Sequence, residues 1–413
     1  MTESTGYLVL LRRNQPFRRL WYGQIVSQLG DWFASIALYA LLLRLTGSGQ
    51  VVGLLLVAEL LPSTIVGPWV GVLVDRLPRR IVMIVADIGR ALLVLLFLLV
   101  RDAGDIWIVY LATVLKVVLT SFFEPARSAL IPQITTREEL IAANGISGAT
   151  WSAMLAFGAA LGGLVAGTLG PAAAFLIDAA SFLLSAVLIA TVRAHETHLT
   201  EHAHTLSSGG QLVEGLRYLG SDRDVLVYAL VKALWSLGGG VLLVLTLFGR
   251  QLFPLGTDGA LSIGLLYAAR GVGAAIGPLA AQRFGGSSVQ ALRRMIGPAV
   301  LLTGAGYALA SIAPSLPLVA LAVLVAHLGG STQWVFSTAL LQISVPNRLQ
   351  GRVFAVELAA LTLTTALSSY LAGLAADSGM APRDLALLLA IVFVAPGLAL
   401  LALLWPAPRR TSA

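Results

Sequence analysis

GVLVDRLPRR, residues 71–80, sets four charges and a proline between two long apolar runs. A helix that crosses a bilayer needs about 20 apolar residues, and the flanking runs, 51–73 and 81–100, each supply that length. Asp75, Arg76, Arg79 and Arg80 therefore read first as the polar end-stop between two membrane spans. The same window, moved outward, finds ten more: 19–43, 106–123, 144–168, 171–192, 224–248, 260–282, 295–312, 316–341, 353–376 and 384–405. Twelve spans are expected.

Composition agrees with an integral membrane protein. Hydrophobic residues make up 57% of the 413 and charged residues 11%, with a mean hydropathy of +0.87; soluble domains carry about 25% charge. Cysteine is absent, which excludes disulfides, thiolate metal sites and cysteine nucleophiles. The first apolar stretch, GYLVLL, runs into Arg12 and Arg13 and is too short for a secretory h-region, so no cleaved signal is expected.

A net charge of +7 and a pI near 10.0 would suit a nucleic-acid binder, but the placement of the charges explains them otherwise. Of 27 Lys and Arg, Arg90, Lys116, Lys232 and Arg270 fall inside predicted spans. Arg44, Arg101, Arg250 and Arg383 fall on one side, and the remaining 19 on the other. Lys and Arg accumulate in cytoplasmic loops. Both termini are thus expected in the cytoplasm, in a multi-pass protein of the cell (inner) membrane with no nucleic-acid partner.

Internal repeats are the mark of transporters built by duplication. Gly67-Pro68, late in span 2, has a counterpart in Gly277-Pro278, late in span 8, at an offset of 210. ALIPQITTREEL (129–140) is echoed by ALLQISVPNRL (339–349), which pairs Gln133 with Gln342 at an offset of 209. Two six-helix halves, 1–192 and 224–413, are expected, joined by a polar cytoplasmic linker, 193–223.

Twelve spans in two halves, with a basic loop between spans 2 and 3, resemble the major facilitator superfamily. GVLVDRLPRR is similar to that family's loop motif in Gly71, in Asp75-Arg76 and in the basic pair Arg79-Arg80, while Pro78 stands where the family usually has glycine. FRRLWYGQIVSQLGDW (17–32), DRLPRRIVMIVADIGRA (75–91), FFEPARSALIPQI (122–134) with EELIAANGI (138–146), and LVEGLRYL (212–219) resemble the branch of drug and siderophore exporters. Macrolide efflux and enterobactin exporters belong to that branch. The resemblance covers most of the first half and the linker, and fades in the second half.

It implies an all-α integral membrane fold of 12 transmembrane helices in two pseudo-symmetric six-helix bundles. The implied function is a secondary exporter of amphipathic small molecules, working by alternating access and proton-coupled antiport. Two other readings stay open: export of a self-made metabolite such as a siderophore, and a non-transporting receptor on the same fold. The chain lacks GxxxxGK[ST] and HExxH, which argues against an ATP-driven pump and an enzyme.

The resemblance also implies roles for particular residues. In the family the span 2–3 motif holds the inward face shut, which makes Gly71, Asp75, Arg76, Arg79 and Arg80 a gate. Asp75 can face a helix N-terminus, a position that favours an anion. Asp87 and Arg90, three apart on one helical face, extend the network, together with Glu124, Arg127 and Glu357. Gly285 stands 210 residues after Asp75, so a second gate of this kind is degenerate.

An ionisable residue at mid-bilayer costs about 2.5–3.5 kcal/mol on insertion scales. Asp31, Glu59, Lys116, Arg270 and His327, deep in spans 1, 2, 4, 8 and 10, therefore each need a purpose. Spans 1, 4, 7 and 10 line the family's central cavity, which implies that Asp31, Lys116, Lys232 and His327 face it. Trp32, Tyr39, Trp235 and Trp334 would add an aromatic lining for bulky, poorly soluble substrates. Burial favours the neutral form of a carboxyl, and a neighbouring ammonium favours the ionised form. Asp31 or Glu59 is accordingly expected to carry the proton in competition with substrate. The alternative is an Asp31–Lys116 ion pair that only joins helices.

Asp178, in IDAASF (177–182), reads as structural. GAALGGLVAG (158–167) is a small-residue stripe that lets helices approach closely; it is similar to the family's antiporter motif, with Gly163 in place of proline and Ala166 in place of a glycine. HETHLTEHAH (195–204), with His195, His198, His202 and His204, reads as a solvated segment. GQLVEGLRYL (210–219) reads as a short amphipathic helix on the inner surface. No metal and no cofactor are expected. The expected partners are a small-molecule substrate, protons and membrane lipid, for a monomer.

Overall fold

The computed structural model describes residues 7–74, 76–193, 208–286 and 288–405. In lipid a backbone must satisfy its own hydrogen bonds, which leaves helix as the natural solution for runs this apolar. The long helices are α1 (Gln15–Thr46), α2 (Gly49–Val74), α3 (Arg79–Leu95), α4 (Ile106–Ile134), α5 (Arg137–Ala153) and α6 (Pro171–Ala190). They are followed by α7 (Arg223–Trp235), α8 (Ala260–Gly285), α9 (Val289–Ile312), α10 (Leu316–Ser344), α11 (Asn347–Asp377) and α12 (Pro382–Leu404). α5 continues through a π-helical turn, Met154–Gly158, into Ala159–Leu169, and α7 continues in pieces to Leu252.

Among the described residues, eleven of these helices are long and apolar enough to cross a membrane. The exception is α5, whose apolar part is Met154–Leu169. Its start is polar because Thr136 and Glu139 form a reciprocal capping box, each side chain accepting from the other residue's backbone N–H. A cap of this kind is worth about 1 kcal/mol. Between α5 and α6 the chain reverses at Gly170, whose φ of 85° suits a residue without Cβ, and Pro171 opens the next helix.

The duplication is visible in where the helices begin. Arg79 and Val289 open α3 and α9, Ile106 and Leu316 open α4 and α10, and Arg137 and Asn347 open α5 and α11, each pair 210 residues apart. α4 and α10 also share a length of 29 residues. The halves differ at α1 and α7. α1 runs unbroken, whereas α7 breaks at Gly238-Gly239-Gly240. Two serines of α11 take up carbonyls at that break: Ser369 Oγ donates to Gly239 O at 3.1 Å and Ser368 Oγ to Leu237 O at 2.5 Å. Hydroxyls that re-satisfy a broken helix make it tolerable in lipid.

The helices gather into two compact units. Within the described residues the first holds 7–46, 58–193 and 255–264, and the second holds 47–57, 208–254 and 265–405. Glycines explain why short stretches leave their sequence neighbours. In the first unit a Cβ on Gly163 would lie 2.7 Å from Gly264 Cα, so the start of α8 and the end of α5 touch backbone to backbone. In the second, a Cβ on Gly373 would lie 2.7 Å from Gln50 Cα, and Asp377 accepts the Gly49 N–H at 2.6 Å and the Ser48 hydroxyl at 2.5 Å. The segment expected to be amphipathic forms a helix, Ser208–Ser221, which docks on α11 through the Glu214–Arg352 ion pair. The histidine tract 195–204 lies outside the described residues.

Candidate functional site

A cavity of about 500 Å³ opens inside the first unit. Three helices each present one stripe to it. α1 contributes Gln24, Ser27, Gln28 and Asp31, and α4 contributes Thr120, Phe123, Glu124 and Arg127. Both sets follow the i, i+3, i+4, i+7 spacing that puts residues on one helical face. α5 adds Ser147, Trp151, Met154 and Leu155 at a similar spacing, and Trp32 with Arg90 of α3 completes the wall. The lining thus joins amides and hydroxyls to two tryptophans, a phenylalanine and a methionine.

Charge is concentrated around this cavity. Asp31, on the wall, accepts a hydrogen bond from Lys116 Nζ at 2.9 Å. Glu124 and Arg127 pair at 2.8 Å, and Arg127 Nη1 also donates to Gln24 Oε1 at 3.2 Å. Arg90 pairs with Asp87, one turn back on α3, and its guanidinium lies 4.3 Å from the Phe123 ring centroid and 4.4 Å from that of Phe182. Asp87 and Arg90 are both buried, and Arg90 reaches the cavity wall. Further from the cavity, Tyr39 donates to Glu59 at 2.7 Å.

The connection 76–80 ties helices of its own unit together. Arg79 donates to the Ala129 carbonyl of α4 at 3.0 Å, and Arg80 donates to the Ala190 carbonyl, at the last residue of α6. Ala190 ends its helix, where carbonyls are left unpaired and arginine is a natural cap, whereas Ala129 lies within α4. Arg76 is exposed in the turn, and Gly71 lies in the last turn of α2. Asp75 lies outside the described residues.

The second unit arranges its predicted residues differently. Glu357 pairs with Lys232 at 3.0 Å, both buried, and the ammonium lies 4.7 Å from the centre of the Trp334 ring. His327 sits in an aromatic cluster, with its Nε2 3.0 Å from the Tyr307 hydroxyl and with Trp235 and Phe393 around it. Arg270 lies in α8, and its Nε is buried. Trp32 therefore lines the cavity, Tyr39 holds a carboxylate, Trp235 packs against a histidine and Trp334 faces a lysine.

Gln24, Ser27, Gln28 and Thr120 were not singled out from sequence. The signal was present, as a run of polar residues at helical spacing within otherwise apolar spans.

The Major Facilitator Superfamily model matches residues 20–357. The chain belongs to that family. An MFS-type transporter of Bacillus subtilis (strain 168), YfiS, is 30% identical to this superfamily member over 181 residues, 44% of this chain and 43% of that one. The match thus spans less than half of that relative's length. Macrolide efflux protein A of Streptococcus pyogenes is 25% identical over 377 residues, 87% of this chain and 89% of the other. The crystal structure of the nucleoside transporter NupG superposes with a TM-score of 0.72, covering 95% of this chain and 100% of that chain at 11% identity, which is a likeness of fold alone. Family and fold are those of superfamily transporters and not of enzymes.

Proposed function

We propose that this transporter is a secondary exporter of amphipathic small molecules, driven by proton influx. The observation that carries the reading is the cavity of the first unit, where Asp31 stands on the wall with Lys116 at 2.9 Å. Trp32, Trp151 and Phe123 offer flat apolar area, and Gln24, Gln28 and Ser147 offer hydrogen bonds, a mixture that suits a bulky solute with scattered polar groups. Likeness to a macrolide efflux protein over most of both chains supports the direction of transport.

In this mechanism the halves 1–192 and 224–413, joined by the linker 193–223, work by alternating access, and the cavity of the first unit is exposed to each side of the membrane in turn. The 19 basic residues counted on one side of the spans support an orientation with both termini in the cytoplasm of a cell-membrane protein. Gly71, Asp75, Arg76, Arg79 and Arg80 form the gating end of the first half. Substrate entering beside Asp31 competes with a proton for the carboxyl groups of this interior, so loading one releases the other.

Liposomes carrying the purified protein and a pH-sensitive dye inside test the reading. Tetraphenylphosphonium, a macrolide and a catecholate are added in turn to wild type and to Asp31→Asn. Proton movement triggered by one of them and lost in the variant is the expected result. No movement with any of the three would remove proton-coupled export of these classes.

A further inference from the structure

Asp178 of α6 is a buried carboxyl with little hydrogen bonding of its own. It is wholly buried, and its Oδ2 has no hydrogen-bond partner among the described residues. Its Oδ1 receives only a long contact, 3.4 Å, from Ser181, whose hydroxyl donates at 2.7 Å to the Asp178 backbone carbonyl instead. A buried carboxylate is tolerated when it is paired or well hydrogen-bonded, and this one is neither.

Its surroundings supply a cation that is already engaged. α1 packs on α6 so closely that a Cβ on Gly30 would lie 2.6 Å from Asp178 Oδ1, and the next residue of α1 is Asp31. Lys116 reaches in from α4, bonded to Asp31 but within electrostatic range of Asp178 and Glu59 as well. From α3 the nearby charge is Arg90, which is paired with Asp87. The α5 segment Ala159–Leu169 packs on α6 and carries no titratable residue. Around Asp178, then, two carboxyls draw on one ammonium, Asp31 facing the cavity and bonded to it, and Asp178 behind it without a bond.

We infer that Asp178 holds a proton behind the cavity, and that this proton and the Lys116 ammonium exchange places between Asp178 and Asp31. In the arrangement seen, Lys116 neutralises Asp31 and the proton neutralises Asp178. In the exchanged arrangement the Asp178 O–H bond breaks, the proton is taken up by the Asp31 carboxylate, and Lys116 turns to the Asp178 carboxylate left behind. Both arrangements carry one ammonium, one carboxylate and one neutral acid, so the exchange moves a proton to the cavity wall without changing the buried net charge. Asp31 then meets the cavity as a neutral acid ready to release its proton, and Asp178 acts as the store behind it. The purpose of the exchange rests on the export reading; its geometry does not.

Infrared difference spectroscopy of the purified protein tests the exchange without a substrate. The wild type at neutral pH is expected to show a neutral-carboxyl C=O band that is lost in Asp178→Asn and kept in Glu59→Gln. The band is also expected to be lost in Asp31→Asn, because Lys116 then turns to Asp178 and ionises it. The Asp31 change alters a partly solvated side chain, 37% exposed, and leaves the Asp178 packing intact. A band that survives in Asp178→Asn places the proton elsewhere and overturns the assignment. A band lost in Asp178→Asn but kept in Asp31→Asn makes Asp178 a static buried acid and overturns the exchange. In liposomes, Asp178→Asn is expected to lose proton movement driven by tetraphenylphosphonium while still binding that cation. If wild type moves no protons but the bands behave as expected, the export reading fails and the exchange stands.

Discussion

In the middle of the first unit's helices, Asp31, Glu59, Asp87 and Asp178 share two cations, Lys116 and Arg90, and a cavity opens beside them. In the second unit Glu357 has Lys232 at 3.0 Å, and Asp224 has Arg293 at 2.9 Å with Tyr228 bonded to the same guanidinium. The equivalent depth is filled by the packed rings of Tyr307, His327, Trp235 and Phe393. Helix starts repeat at a 210-residue offset in three of the helix pairs, so the two regions share a scaffold while their buried charge differs. A scaffold of this kind is set by apolar length and helix ends, which tolerate wide substitution. Buried charge is set one partner at a time. Paired carboxylates in the second unit hold helices together, whereas surplus carboxyls in the first leave room for a proton.

The comparison breaks most visibly at the paired side. Glu357→Gln leaves the Lys232 ammonium buried beside a neutral group, and loss of one partner of such a pair costs about 3–5 kcal/mol. Unfolding of the detergent-solubilised protein should show that loss, and Lys232→Met combined with Glu357→Met should recover most of it. A single variant as stable as wild type would mean that the second unit is no more locked than the first.

A smaller effect separates the repeats at their capped ends. Thr136→Ala removes the box that starts α5 and is expected to cost about 1 kcal/mol in the same assay. The equivalent start of α11, after Pro346, has no side-chain cap to lose. The smallest effect is expected at the surplus carboxyl. Asp178→Asn replaces a neutral acid by a neutral amide of the same shape, so stability should stay within about 1 kcal/mol of wild type. A loss as large as that of Glu357→Gln would show a paired carboxylate there and erase the difference between the units.

Much of the scaffold was legible beforehand. The twelve apolar runs, the offset near 210 and a helix at 210–219, which spans Ser208–Ser221 in the structure, follow from hydropathy and spacing, which are local properties. α5 departs from the expected 144–168 run because a capping box at Thr136 extends a helix into polar sequence. The Asp31–Lys116 pair, weighed from sequence as a structural alternative, is present at 2.9 Å. The partners of Arg79 and Arg80 were not legible, because backbone carbonyls at Ala129 and Ala190 carry no residue-type signal. Nor was the Lys232 partner of Glu357, since 125 residues separate them and only the rotation of α7 against α11 brings them together.

By itself, then, the sequence determined that the chain crosses a membrane as helices, how many times, and in two related halves, because bilayer thickness and backbone hydrogen bonding leave an apolar run little choice. Tertiary structure alone decided which charges are matched and which are left over. That choice depends on which face each helix turns inward, at separations where one residue of rotation moves a carboxylate in or out of reach of its cation.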